Sequence, residues 1–346
     1  TIAPDAIGQA LAADFWCAYL LNIDFFQGAH ARLAGPLVER LILLNMPYPQ
    51  PLIILCTMRS YSSLVSTMLG RHPDLYGLPE LNLSVADTIE EMVQYYRRRN
   101  RPHGMHGLLR ALAELQFGEQ SDASVAQAVG WLSSRREWST KRVFEHIAEL
   151  VAPRILVEKS PITCKERRFL LRVHRHFPKA SYLHLVRHPR AVGNSIYQLL
   201  RRNDGIRPSG RPIAELIDPE RVWLRTNKNA SDFIEQLPLG QGMRIQGEML
   251  LGDPDNYLHQ IAEWLDIRTH PEAIEAMKHP DESPYACLGP AKAQFGNDPN
   301  FLEHPEFRLR PITQVELPGE LEWLANRGGG QFSAATLKLA RTFGYA

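Results

Sequence analysis

Four cysteines, Cys17, Cys56, Cys164 and Cys287, are scattered through 346 residues with no C-x-x-C pair. That pattern gives no zinc site, no redox motif and no disulfide framework, and it points to a reducing cytoplasm. Neither sign of charge dominates. Against 39 Lys and Arg stand 38 Asp and Glu, for a formal charge of +1, so no global field draws the chain to nucleic acid. Long apolar runs are also missing. The most apolar early stretch, Leu11 to Phe26, is interrupted by Asp14 and Asp24 and follows no basic segment. It reads as an amphipathic helix rather than a signal peptide or membrane span. There is no internal repeat or low-complexity tract. The first residue is Thr rather than Met, which suggests processing or excision from a longer chain.

What is present is an ordinary globular composition, 44% hydrophobic and 22% charged, enough for one large or two ordinary domains. Residues 1 to 47 read as two helices, and Pro47, Pro49 and Pro51 then break the pattern. The expected division is a helical extension or linker at 1–50 and one domain at 51–346. Leu52-Ile53-Ile54-Leu55 is too short for a buried helix and suits a strand covered on both faces; the spacing Leu64, Val65, Met68, Leu69 then predicts a helix. The same alternation recurs at Arg154 to Val157 with a helix from about Cys164, and at Ser181 to Val186 with a helix from about Arg190. Repeated units of this kind predict an α/β fold with a central parallel sheet and flanking helices. A further helix is expected around Arg221 to Leu237, a strand at Met243 to Gln246 and a helix at Asn256 to Leu265. Between the first two predicted strands lies a helical insertion at about 85–151, placed to cover a substrate pocket. Pro280 to Arg310, rich in Pro, Gly and Asn, reads as an ordered loop.

In such sheets ligands sit at the carboxyl ends of strands, so the loops after each strand carry the information. The first, Cys56-Thr57-Met58-Arg59-Ser60-Tyr61-Ser62-Ser63, enters a helix. It offers free backbone N–H groups, an Arg and several hydroxyls to an anion. A Ser-rich helix cap with a surface Arg would look the same. The loop is not a Walker A sequence, since G-x-x-x-x-G-K-S/T is absent. The third loop adds Arg187-His188-Pro189-Arg190 and, one helical turn inside, Ser195, a second anion site on the same sheet. Together the two suit a nucleotide with phosphates at both ends of its ribose. The second loop, Glu158-Lys159-Ser160-Pro161, puts a Lys beside the first loop if the strands are adjacent, where it would oppose charge on a leaving oxygen. A plain salt bridge to Glu158 is the alternative.

Arg59-Ser60-Tyr61-Ser62-Ser63-Leu64, His72-Pro73, Pro79-Glu80-Leu81, Glu158-Lys159-Ser160-Pro161 and Leu185 to Val192 with Ser195 resemble the sulfotransferases that use 3′-phosphoadenosine-5′-phosphosulfate (PAPS). Within that superfamily the chain is most similar to sulfotransferase domains of bacterial polyketide synthases that make terminal alkenes. His103 before Arg110-Ala111-Leu112, Trp223 with Asn227 and Asn229, and Gly296 to Leu302 carry that likeness. The resemblance covers about residues 51 to 305 and implies a P-loop-like fold whose helical insertion is the acceptor lid. It implies that Arg59, Ser60, Ser62 and Ser63 hold the 5′-phosphosulfate, with Tyr61 in the same loop. Arg187 and Ser195 would hold the 3′-phosphate, and Lys159 the transferring group. Glu80 falls where the similar tyrosylprotein sulfotransferases have a catalytic Glu, and is the expected general base. His103 would contact the acceptor or assist proton transfer. PAPS would be the donor and 3′-phosphoadenosine 5′-phosphate (PAP) the product, with no metal. The acceptor would be a hydroxyl on a small molecule or on a group tethered to an acyl carrier protein, docked by Arg97-Arg98-Arg99-Asn100-Arg101 or by Lys165, Arg167, Arg168, Arg172 and Arg175.

Three departures from the family pattern stand out. Tyr61 replaces the usual loop glycine of R-S-G-S/T-S/T-L, and is expected either to stack over the cofactor or to restrict it. Asn82 stands where the polyketide-type domain has His, and Gln246-Gly247-Glu248-Met249-Leu250 replaces the common Y-E-D-L. The competing readings are a P-loop kinase or related NTPase, and a nucleotide-binding scaffold without catalysis.

Overall fold

Five consecutive buried residues, Leu52–Cys56, form β1, the middle strand of a five-stranded sheet in the computed structural model. The structure describes residues 47–202, 217–312, 315–327 and 329–346; the N-terminal helices expected at 1–47 lie outside them except for Pro47. β1 pairs in parallel with β3 (Ile155–Glu158) on one side and β4 (Ser181–Val186) on the other. β2 (Leu75–Gly77) lies outside β3, and β5 (Gly242–Gln246) outside β4. The order β2-β3-β1-β4-β5, all parallel, is a P-loop-like α/β sheet flanked by helices. β1 therefore lies where the chain reverses its direction of winding, and the loops after β1, β3 and β4 meet at one edge.

α1 (Ser62–Gly70) follows β1 and buries Leu64, Val65, Met68 and Leu69 against the sheet. Its last residue must be glycine: a Cβ at Gly70 would lie 2.3 Å from the backbone of Gly77 in β2. The three-residue β2 was not expected, because Leu-Tyr-Gly between turn residues is too short to show a period. The helical insertion consequently leaves from β2 rather than directly from the first strand's helix. It contains α2 (Ile89–Arg98), α3 (His106–Phe117), α4 (Asp122–Ser133) and α5 (Thr140–Val151). Thr88 and Glu91 form a capping box at the start of α2.

After β3 the chain makes a 3₁₀ turn, Pro161–Lys165, before α6 (Arg167–His176), so the helix begins later than the expected Cys164. α7 (Pro189–Arg202) follows β4, and α8 (Pro219–Ile234) braces the strand ends from outside. Asn227 Oδ1 of α8 accepts from His184 Nε2 of β4 at 3.1 Å, and its Nδ2 donates to Thr57 Oγ1 at 2.9 Å. The fully buried Trp223 donates to the carbonyl of Arg187 at 2.9 Å. These contacts fix the carboxyl ends of β1 and β4 relative to each other. The Pro280 to Arg310 stretch is ordered, as expected, with short helical turns at 280–282, 291–293 and 299–303. Tyr48–Ala346 forms one compact unit. Among the described residues no helix is long and apolar enough to cross a membrane.

Candidate active site

The loop between β1 and α1 contains no glycine, yet Arg59 (φ 66°) and Tyr61 (φ 61°) are both left-handed. That conformation costs a side-chain-bearing residue roughly 1–2 kcal/mol. Alternating handedness turns successive N–H groups inward, the arrangement that makes an anion-binding nest. Ser60, Ser62 and Ser63 are buried around it, and the Ser60 hydroxyl has no hydrogen-bond partner. A buried orphan donor of this kind is expected where a bound oxyanion would complete the site.

Arg187, at the end of β4, donates from Nη1 to the carbonyl of Arg59 at 2.7 Å. Its Nε is buried and unpartnered. Burial, reinforced by neighbouring Arg310 and Arg59, lowers its pKa from the usual arginine value. Its guanidinium lies 3.9 Å from the centre of the Tyr61 ring, and that of Arg310 lies 5.1 Å from it. The ring is thus packed beneath two cations. Gly247 makes this possible, because a Cβ there would come within 2.8 Å of the ring. Two departures from the family pattern, at 61 and 247, therefore fit each other. Arg59 Nε donates to Ser195 Oγ at 2.9 Å, joining the two predicted anion sites. Arg59, Tyr61, Ser62, Ser63, Arg187, Ser195, Asp298 and Arg310 are among the residues that line one cavity of about 400 Å³. Arg190 takes no part: it donates to the carbonyls of Glu316, Leu317, Pro318, Gly319 and Glu320.

Lys159 follows β3 directly, and its side chain is completely buried. Its ammonium donates to Ser63 Oγ at 3.0 Å, Glu80 Oε1 at 2.8 Å and Asn297 Oδ1 at 3.2 Å, which uses all three donors. It therefore pairs with Glu80, 79 positions away, and not with adjacent Glu158. The Glu80 side chain keeps 28% exposure, so its carboxylate joins the buried ammonium to open space.

Glu158 instead accepts from Ser160, whose hydroxyl accepts from the N–H of Asn82 at 2.9 Å. Burial pushes the Glu158 carboxyl up to about 7 from its ordinary 4.5. A raised folded-state value means the folded form holds its proton more tightly. The associated stability is complete below pH 4.5 and is lost as pH rises through about 7. The loss amounts to about 3 kcal/mol. Glu158→Gln is expected to flatten the fall of melting temperature between pH 5 and pH 8 relative to wild type, as read by calorimetry. Parallel curves for the two proteins would exclude this assignment.

His103 lies exposed in the turn Pro102–Met105, with its ring edge-on to those of His106 and Phe295 at centroid distances of 6.4 and 6.5 Å. It makes no hydrogen bond to Glu80 or Lys159. The same turn is tied to the cluster by backbone: Asn82 Nδ2 donates to the Gly104 carbonyl at 2.9 Å. Sequence reasoning gave no role to Asn297, Asp298 or Arg310, all brought to the site by the 296–310 segment. Its available signal was Asp298-Pro299, an N-cap followed by Pro at the first helical position.

Residues 51–271 match the model of the sulfotransferase family. Among solved structures the chain is similar to the "Sulfotransferase Domain from the Curacin Biosynthetic Pathway". The identity is 23%, with 86% of this chain and 98% of that one covered and a TM-score of 0.64. It is likewise similar to the sulfotransferase domain of the Synechococcus PCC 7002 olefin synthase, at 25% identity, with 86% of this chain and 94% of that one covered and a TM-score of 0.64. No curated protein sequence matches it.

Proposed function

The chain belongs to the sulfotransferase family, and we propose that it moves a sulfuryl group from PAPS to an acceptor hydroxyl, with Lys159 as electrostatic catalyst and Glu80 as general base. The observation that carries this reading is the buried Lys159 ammonium, which links Ser63 of the anion loop to the partly exposed Glu80. PAPS supplies a sulfuryl group on a bisphosphate leaving group. The left-handed nest of Arg59 and Tyr61, the orphan Ser60 hydroxyl and Ser62 and Ser63 hold its 5′ end. Arg187, with a free Nε, and Ser195 hold the 3′-phosphate. Lys159 opposes negative charge growing near Ser63, and preorganised donors of this kind need no rearrangement as the charge develops. Glu80 takes the acceptor's hydroxyl proton on the open side of the same ammonium.

The α2–α5 insertion is the acceptor lid in this reading, with His103 on its exposed 102–105 turn. The acceptor is a small alcohol or a hydroxyl tethered to an acyl carrier protein, as the likeness to the olefin synthase domain suggests. Of the two basic runs, the one on α6 is largely neutralised at home. Arg172 and Arg175 pair with Asp87, and Arg168 with Glu166. The other is not neutralised in this way: Arg97, Arg98, Arg99 and Arg101 form no ion pair among the described residues, and Arg99 and Arg101 lie near Lys165, whose pKa is lowered by burial and by these cations. That cluster is the better dock for an acidic carrier.

Incubation with PAPS and a panel of free and carrier-tethered alcohols tests the reading directly. Release of PAP together with a product heavier by one SO₃ is the expected result; neither with any acceptor, and no calorimetric PAP binding, would refute it. Arg187→Ala is expected to weaken PAP about 10- to 100-fold, the loss of a charge-assisted hydrogen bond to an anion.

A further inference from the structure

Three consecutive residues of the 296–300 segment touch Glu80, Lys159 and the anion loop. The Gly296 carbonyl accepts from Glu80 N at 2.6 Å, Asn297 Oδ1 accepts from Lys159, and Asp298 N donates to Ser63 Oγ at 2.9 Å. The Asp298 carboxylate then forms an ion pair with Arg59 Nη1, while Arg59 Nε is held by Ser195. The side chain of Arg59 is 8% exposed and that of Asp298 25% exposed, so the guanidinium is nearly dry and its counter-charge reaches the cavity. A buried guanidinium without a partner would be strongly destabilised. Asp298 supplies that partner from within the chain, at the residue that heads the anion loop.

We propose that Asp298 is a displaceable counter-ion for Arg59. In the nucleotide-free protein its carboxylate holds Arg59 and Ser195 in place; when the donor binds, Arg59 turns its charge to the 5′-phosphosulfate and Asp298 gives way. The residue is a positioning group that sets how tightly the nucleotide is held, and so how readily PAP leaves. This rests on the reading of the cavity as a PAPS site. Two contributions act in the same direction. The carboxylate competes for Arg59, and it repels a polyanion entering the same cavity. Its other oxygen caps the short helix at 299–303 by accepting from Asn300 N at 2.9 Å, a role that Asn also fills.

Asp298→Asn therefore removes the charge and keeps the cap. Calorimetric titration is expected to show PAP bound about tenfold more tightly than by wild type, the scale of one charged hydrogen bond. The nucleotide-free variant should melt lower than wild type, and saturating PAP should raise its melting temperature by more. A purely structural role for Asp298 would lower stability without tightening PAP. Unchanged or weaker PAP binding by a variant that still unfolds cooperatively overturns the proposal while leaving the functional reading intact. Absence of PAP binding to wild type overturns both. If the Asn variant fails to fold, Asp298→Ser, which also caps, carries the same expectation.

Discussion

Glu80→Gln is expected to slow sulfuryl transfer roughly 10²- to 10⁴-fold, the usual contribution of a general base, while PAP affinity stays close to that of wild type. Gln keeps an Oε1 that can accept from Lys159, so the three-way arrangement around the ammonium can persist while the proton acceptor is gone. Glu80 is also absent from the residues lining the cavity of Arg59, Arg187 and Ser195. Turnover measured at saturating PAPS, with PAP titrated calorimetrically into the same preparation, separates the two effects. Equal loss of turnover and PAP affinity would remove Glu80 from the base role and leave it as a support for Lys159.

Lys159→Met is expected to damage both folding and chemistry. The side chain is fully buried, and three acceptors depend on it. Its removal leaves Asn297 Oδ1 without a donor, takes from Ser63 Oγ one of its two donors, and leaves Glu80 without its cation. Because Glu80 retains contact with water, the expected stability loss is about 1–3 kcal/mol, below the 3–5 kcal/mol typical of breaking a fully buried pair. Transfer should fall by roughly 10²- to 10³-fold, as when one preorganised donor is taken from a developing oxyanion. A Lys159→Met/Glu80→Gln double variant distinguishes the two roles. It should recover part of the lost stability, because no carboxylate is left unpaired, and none of the activity. Turnover no lower than that of Glu80→Gln alone would show that Lys159 acts only as a structural counter-ion.

The sheet was legible because its strands are buried on both faces, which leaves short apolar runs such as Leu52 to Leu55 and Ser181 to Val186 with no competing helical period. Strand β2 was not, since three residues carry no pattern. That the loop after β1, Arg187 and Ser195 meet at one cavity was legible from their place after strands, where topology puts ligand-binding groups. The partner of Lys159 was not. Neighbouring residues at a strand end point to opposite sides, so proximity in sequence suggested Glu158 when the fold supplies Glu80. Asn297, Asp298 and Arg310 stand more than 100 positions beyond either anchor of the site; Asp298-Pro299 marks a helix start and Gly296 to Leu302 a family likeness, but neither says which distant residues they meet.

The fit between Tyr61 and Gly247 also constrains the order in which this sequence can change. With Tyr at 61, even a methyl group at 247 presses on the ring at 2.8 Å, and the ring is held from above by Arg187. With Gly at 61 that contact is gone, and the next atoms, Val186 O and Leu185 Cδ1, lie 3.5 and 3.6 Å from such a Cβ. A lineage passing between the two versions of this loop must therefore shrink position 61 before it enlarges position 247, and in the opposite direction must empty 247 first. The passage between the two versions runs through small side chains at both positions.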